Sequence, residues 1–418
     1  VLLRYRFRLY PTGPQRAALA RNFGCARVVF NDAVAARRRA HAEGMPYPAT
    51  AVLSKSLITE AKQAPERAWL GEVSTVVLQQ ALADCDRAWK NFFDSVGGKR
   101  AGVRMGPPRF KKRTAVQAIR FTRNARFRVL ESGRLRLPKI GDVKVAWSRE
   151  LPSEPTSVTV AKTATGKYYA SFVVSLDGDE TLGPVEAECG IDLGLNDFAV
   201  LSNGRVIENP RFFRKLERKL KKAQRVLARK TKGSANRAKA RAKVARVHEK
   251  AKHQRDDWVN QQVAKIVAES QGIYIEDLSV KGLARGRGAK SIHDAALGMF
   301  SARLESKAAR AGRSFVKVDR FFPSTRLCST CGVLAGPKGL DGLRVREWRC
   351  ECGAVHDRDR NAAVNILREG RRVAAGQADT VNASGGQVRP GMPGTARNTR
   401  VAGQNEEPTR TRLVSTSR

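Results

Sequence analysis

The chain has 418 residues and carries 79 Lys and Arg against 39 Asp and Glu, a formal net charge of +40 with a pI near 10.9. A hydrophobic content of 41% excludes wholesale disorder, and no uninterrupted apolar stretch reaches the length of a membrane span. A basic excess this large predicts a polyanionic partner, nucleic acid above all, because neutralising phosphates releases counterions and gives strong, salt-sensitive binding.

At ~150 residues per domain the length predicts two to four domains. No charged-then-apolar leader opens the sequence, and four of the seven Cys crowd into Cys328–Cys352. That usage predicts a cytoplasmic, reduced chain with one metal site, not a disulfide framework, and Cys25, Cys85 and Cys189 read as small buried hydrophobes.

Residues 1–9 alternate apolar and basic, the pattern of a strand with one buried face and one face open to phosphate. Thr12 and Gln15 have the spacing of a capping box at a helix start, with Pro14 inside the first turn. From there to about residue 96 the pattern is helical, most clearly in the stripe Val77, Leu78, Ala81, Leu82, Cys85, Trp89, Phe92 and Phe93, which predicts helix-bundle core. Gly97-Gly98 and then Gly106-Pro107-Pro108 end that block. Residues 116–176 are short, β-branched, alternating segments, so a small β-barrel or sandwich is expected, with the opening strand paired into it and the helical block as an insertion. Phe121, Phe127, Tyr168 and Tyr169 interleave with basic residues there, which suits either a nucleic-acid backbone or a barrel core with a solvated rim. Residues 211–255 hold 19 Lys and Arg against two acids, Glu217 and Glu249, in a helical pair broken at Gly233-Ser234. Such a run would repel itself without counter-charge, so polyanion contact is expected. Residues 369–418 lack aromatics and are rich in Gly, Thr, Ser, Asn and Arg, the composition of a disordered tail.

Four motifs carry chemistry. In Cys189-Gly190-Ile191-Asp192-Leu193-Gly194 a strand points Asp192 away from its apolar neighbours, between two Gly, and Ser202-Asn203-Gly204-Arg205 predicts a type I′ turn into a second strand. Asp192 there fits either a metal-binding acid or a turn-proximal cap. Gly272-Ile273-Tyr274-Ile275-Glu276-Asp277 is a second strand ending in acids, with Glu276 opposite Ile275; such acids also serve solubility. Asp359 sits where a helix begins, so it reads as a third metal-binding acid or as an N-cap. Three carboxylates from two strands and a helix could converge on a pair of Mg²⁺ ions, which favour hard oxygen donors and drive phosphodiester hydrolysis. Finally, Cys328, Cys331, Cys350 and Cys352 satisfy a tetrahedral Zn²⁺. His356 is the alternative donor to one thiol. The second pair, C-x-C, is one residue shorter than the first.

Taken together, GIDLGLNDFAV, IEDLSVKGL, FFPSTRLCSTCG and CGAVHDRDRNAAVNIL, with the opening RYRFRLYPTGPQ and PPRFKK, resemble the TnpB family of transposon-encoded RNA-guided nucleases, related to type V CRISPR effectors. The likeness runs from residue 1 to about 368. It implies a multidomain α+β chain: a wedge β-barrel over 1–10 and 115–182, a helical recognition insert over 11–114, a RuvC (RNase H-like) nuclease domain over 183–327 and 354–368 that includes the basic pair 211–255, an inserted zinc ribbon over 328–353, and the tail. It further implies catalysis by Asp192, Glu276 and Asp359 on two Mg²⁺, with Asp277 and Asp357 as neighbours and not members of the set. One structural Zn²⁺, a guide RNA and double-stranded target DNA complete the expectation, in a nucleoid-associated protein. Asn260-Gln261-Gln262 departs from the HKxS-like residues expected near there. An RNA-guided DNA-binding repressor or transposition regulator that does not cut, and a conventional DNA-joining transposase, are the competing readings.

Overall fold

The computed structural model describes residues 2–114, 116–176, 181–286, 288–342 and 344–376, with a short strand pair at 380–381 and 387–388. The described residues divide into two compact units, those up to 181 with 212–258, and 182–211 with those from 259 onward.

Alternation builds the first unit. In β1 (Leu2–Tyr10) Phe7 and Leu9 are buried while Arg4 and Arg6 are exposed. The strand lies between β7 (Tyr168–Ser175) and β5 (Gly141–Ala146), so the N-terminus completes a sheet made mostly from residues more than a hundred positions away. With β2 (Gln117–Thr122), β3 (Arg128–Val129), β4 (Arg134–Leu137) and β6 (Ser157–Lys162) the antiparallel order is β2-β6-β7-β1-β5-β4-β3. Phe7, Phe121, Phe127, Leu135, Val143 and Phe172 from across this sheet share one core. The expected barrel is therefore a curled seven-stranded sheet whose ends, β2 and β3, are not joined by strand pairing among the described residues. Phe121, Phe127 and Tyr168 are core residues. Tyr169 faces out, with the Arg6 guanidinium 4.0 Å from its ring centre.

The insertion is helical as the stripe predicted. In α1 (Gly13–Ala42) the Thr12 N–H donates to Gln15 Oε1 at 3.0 Å, and Gln15 Nε2 reaches the Asp142 carbonyl of β5 at 3.0 Å, so the cap also ties the helix to the sheet. After the short α2 (Thr50–Ser54), α3 (Thr75–Val96) splits its stripe. Val77 and Ala81 join the sheet core, whereas Leu78, Leu82, Cys85 and Trp89 pack with α1. Phe93, at the end of the stripe, is exposed.

The basic pair forms α4 (Phe212–Ala228) and α5 (Ala235–Glu269), with Gly233 at φ +89° in the break. Residues 212–258, which hold α4 and the first part of α5, group with the first unit and not with the nuclease-like part of the sequence as expected, while α5 from Val259 onward belongs to the second. The reason is Glu249: it accepts from Thr165 Oγ1 at 3.0 Å and pairs with Lys167 Nζ at 2.8 Å, both at the β6–β7 turn.

The second unit holds β8 (Glu188–Leu193), β9 (Asp197–Leu201), β10 (Val206–Glu208), β11 (Gly272–Glu276) and β12 (Ser314–Val318) in the order β10-β9-β8-β11-β12. β8, β11 and β12 are parallel, while β9 and β10 are antiparallel to their neighbours. The β9–β10 turn is not type I′, because Asn203 keeps a negative φ and Gly204 alone is left-handed, at +87°. Gly204 N–H closes on the Leu201 carbonyl at 2.9 Å and Leu201 N–H on that of Arg205, a three-residue loop with a glycine bulge. Helices α6 (Val280–Leu283), α7 (Ala289–Ala295) and α8 (Leu297–Arg310) lead into β12. After the single-turn α9 (Gly339–Gly342) a two-stranded ribbon, β13 (Glu347–Arg349) and β14 (Val355–Asp357), leads into α10 (Arg358–Ala374). Among the described residues, no helix is long and apolar enough to cross a membrane.

Helix α10 packs directly on β8 and β11. A Cβ on Gly190 would stand 2.1 Å from the Ala363 carbonyl oxygen, and one on Gly370 would stand 2.2 Å from the Tyr274 ring. Two glycines, one on the strand and one on the helix, are what let backbone meet backbone and ring. The helix continues past the expected start of the tail at 369: Glu369 and Gly370 are buried within it. The remaining tail, apart from the strand pair, lies outside the described residues. Gly190→Ala is expected to cost at least about 1–3 kcal/mol by overpacking this contact, measured as a lowered thermal midpoint; an unchanged midpoint would mean the helix is not seated this closely.

Candidate active site

Strand polarity brings the first two acids together. β8 and β11 run parallel and pair Ile191 with Ile275. Asp192 and Glu276, one residue further on, therefore leave adjacent strand ends on the same side of the sheet. Gly190 and Tyr274, two residues back on those strands, share that side, and both meet α10. The helix brings the third acid. Asp357 is its N-cap and accepts from the Arg360 N–H at 2.7 Å. Capping, the competing role for Asp359, is thus taken by Asp357, and Asp359 is free to turn toward the strand ends in the first turn. There it accepts from Arg346 Nη1 at 2.5 Å and from Arg358 Nε and Nη2 at 2.9 and 2.7 Å. Asp277 points elsewhere, into an ion pair with Arg320.

Charge reports the crowding. Burial pushes the Asp192 carboxyl well above the usual carboxylate range; the negative charges of Glu276 and Asp359 add to this and the Arg358 cation opposes it. Glu276 is also raised by burial, against the pull of a 2.5 Å hydrogen bond donated by Ser324 Oγ. The Asp192 carboxylate has no hydrogen bond or ion pair among the described residues. Three hard-oxygen donors with one left unpaired is a donor set that fits Mg²⁺.

The thiols form a separate centre. The Sγ atoms of Cys328, Cys331, Cys350 and Cys352 all lie within 4.8 Å of one another, with Cys328 to Cys352 at 3.7 Å and Cys331 to Cys350 at 3.6 Å. Thiolates on the corners of a Zn²⁺ tetrahedron stand about 3.8 Å apart, so the cluster has the dimensions of a zinc site. The short C-x-C pair closes it because Gly353, at φ +90°, turns the chain with its N–H on the Cys350 carbonyl at 2.9 Å. His356 lies outside the cluster, its Nε2 3.0 Å from Cys328 Sγ. Burial resists ionisation of Cys328, but the N–H groups of Cys331 and Thr330 and the His356 contact outweigh it and bring the thiol down to about 5. By contrast, burial raises Cys25 to about 11 and Cys189 to about 12, as inert core thiols require.

Sequence reasoning missed the residues that join the two centres. Asn361 and Asn365, one turn apart on α10, donate to the Leu327 carbonyl at 2.8 and 2.6 Å, beside Cys328. Nothing in their local pattern distinguishes them from surface amides; only the helix periodicity, which puts them on the buried side with Ala362 and Ile366, hints at it. Ser324, Arg346 and Arg358 gave no signal.

Three family profiles match this chain: "Probable transposase" over residues 171–287, "Cas12f1-like, TNB domain" over 298–366, and "Helix-turn-helix domain" over 1–45. The chain is 42% identical over 379 residues to the "Putative RNA-guided DNA endonuclease" of Streptomyces pristinaespiralis, covering 89% of this chain and 90% of that protein. It belongs to the TnpB family. A second relative, "Putative RNA-guided DNA endonuclease InsQ" of Escherichia coli (strain K12), is 32% identical over 388 residues, covering 89% and 93% of the two chains. The fold is that of a chain in the "Cryo-EM structure of the Cas12f1-sgRNA-target DNA complex", with a TM-score of 0.53 at 12% identity, covering 88% of this chain and 98% of that one. The TNB profile spans both the thiol cluster and Asp359. The region matched as helix-turn-helix is here a strand and a single 30-residue helix.

Removing one of the crowded charges should relieve the fold when no divalent cation is present. Asp192→Asn is expected to raise the thermal midpoint in EDTA by about 1–3 °C, with the gain largest at alkaline pH. The sign follows from the raised Asp192 value: the native state is at its best while the carboxyl keeps its proton and loses stability as pH climbs through that value. A lowered midpoint would show that Asp192 is paired and not crowded.

Proposed function

We propose that this chain is an RNA-guided DNA endonuclease of a transposable element that hydrolyses phosphodiester bonds with Asp192, Glu276 and Asp359. What supports the reading is that Asp192 and Glu276 end adjacent parallel strands and that the charges of Glu276 and Asp359 both act on the buried Asp192 carboxyl, which has no hydrogen-bond or ion-pair partner among the described residues. The sheet order, with β8 central between an antiparallel hairpin and two parallel strands, is what a RuvC-type, RNase H-like domain would have. In the same reading the curled sheet is the wedge, α1–α3 the recognition insert, and residues 328–353 the zinc ribbon.

Asp192, Glu276 and Asp359 would together hold a pair of Mg²⁺ ions. When bound, such a pair activates water and stabilises the attacking and leaving oxygens of the phosphodiester. The protein's part is to hold the carboxylates still: Ser324 fixes Glu276, and Arg346 with Arg358 fixes Asp359. The four thiolates would hold one Zn²⁺, needed because a ribbon this small lacks a core of its own.

Guide RNA and target DNA are the partners that the +40 charge and the likeness to RNA-guided relatives support. Base pairing would read the sequence while the protein holds backbone shape and a short flanking motif. The outward row of Arg4, Arg6 and Arg8 with Tyr169, and the basic faces of α4 and α5, are the surfaces suited to phosphate.

Purified ribonucleoprotein carrying its co-purified RNA should cut a plasmid bearing the matching target in Mg²⁺. Asp192→Ala should lower the rate by on the order of 10³-fold or more, as loss of an essential group does. Equal cutting by the variant would sink the assignment of chemistry, and binding without cutting by the parent would favour the repressor alternative. Metal analysis of the full chain should find about one Zn²⁺ per molecule, lost in Cys350→Ser; a folded, zinc-free parent would remove the ribbon.

A further inference from the structure

The segment between β12 and the first thiol pair touches both centres. Ser324, 3% exposed, donates its hydroxyl to Glu276 Oε1 at 2.5 Å. Its own carbonyl accepts from Asn365 Nδ2 at 2.8 Å and from Asn361 Nδ2 at 3.4 Å. The same two amides hold the Leu327 carbonyl, and Asn361 Oδ1 accepts from the Ser329 N–H at 2.9 Å, so they grip the residues on either side of Cys328. Asn361 and Asn365 are 3% and 1% exposed. Both stand on α10, within two turns of Asp359. Five residues of main chain, Ser324 to Cys328, are thus pinned at one end to a nuclease acid, at the other to a thiol ligand, and along their length to the helix that carries a second acid.

We infer that Ser324 is a positioning residue for Glu276, and that Asn361 and Asn365 couple its placement to zinc binding at the thiol cluster. The proposal rests on the active-site reading above. Its physical basis is that a carboxylate ligand is oriented by the hydrogen bond on its other oxygen, and that loss of such a bond is felt as weaker metal binding. Cys328, held in the cluster by a zinc ion, would anchor one end of this segment; the two amides fix Leu327 and Ser324 in one register, and the Ser324 hydroxyl selects one orientation of Glu276. An unloaded ribbon leaves that register free to slip, and Glu276 with it.

The test uses the zinc-loaded full chain freed of RNA, with Mn²⁺ uptake read by electron paramagnetic resonance in place of Mg²⁺. Uptake by Asp192→Asn defines binding outside the acid site. Ser324→Ala should bind site Mn²⁺ about 10-fold more weakly, while Ser324→Thr, which keeps the hydroxyl, stays within about twofold of the parent. Zinc content should remain unchanged in both. Asn365→Ala should weaken Mn²⁺ binding and also speed zinc release to a chelator. Parental affinity in Ser324→Ala, or no recovery in Ser324→Thr, overturns the positioning role. Faster zinc release in Asn365→Ala with parental Mn²⁺ affinity overturns the coupling. If Asp192→Asn takes up as much Mn²⁺ as the parent, the active-site reading itself is what fails.

Discussion

Close packing of one helix on two parallel strands is the constraint from which the candidate site follows. Gly190 on β8 lets the α10 backbone approach to a distance that no side chain would permit, and Gly370 on α10 does the same for the Tyr274 ring of β11. Because β8 and β11 are parallel and in register, their carboxyl ends finish together, and the acids at those ends share the face the helix covers. The result is a concentration of like charge in a partly buried place, where Asp192 ionises reluctantly and its carboxylate has no hydrogen-bond or ion-pair partner among the described residues. A fold with no use for a cation would gain by replacing at least one of these acids.

The surroundings manage that charge unevenly. Asp359 is flanked by two guanidinium groups and Glu276 by one hydroxyl, whereas the Asp192 carboxylate has no such partner among the described residues. The asymmetry holds the carboxylates of Glu276 and Asp359 in place and leaves that of Asp192 unheld. The thiol centre is a different solution to a different problem: soft donors on two tight turns, with His356 and backbone N–H groups lowering the Cys328 thiol toward its ionised form, as a structural zinc requires.

Much of this was legible in the sequence because it is local. Alternation of Leu, Arg, Tyr and Phe over residues 2–10 marked β1, the Thr12 and Gln15 pair marked the α1 start, and the Cys spacing marked the thiol cluster. The misreadings are also physical. Asn203-Gly204 has the composition of a type I′ turn, but the neighbouring strands accept a longer loop in which only the glycine is left-handed. Residues 369–374 look like tail because Arg and Gly dominate them, yet Gly370 is there to fit under a ring contributed by a strand nearly a hundred residues earlier. The basic pair 211–255 follows the β8–β10 strands in sequence, but the Glu249 contacts with Thr165 and Lys167 draw it to the first unit.

The sequence by itself determined the acids, the thiols, the basic surfaces and the period of nearly every element, since each depends on side-chain chemistry or on spacing along a few residues. Tertiary structure alone decided that the curled sheet, among the described residues, keeps two edges, that Asp357 and not Asp359 caps α10, and that Ser324, Asn361 and Asn365 lie between the two centres. Those outcomes depend on which carbonyl or carboxylate a donor meets across tens of residues, and no local pattern encodes the partner.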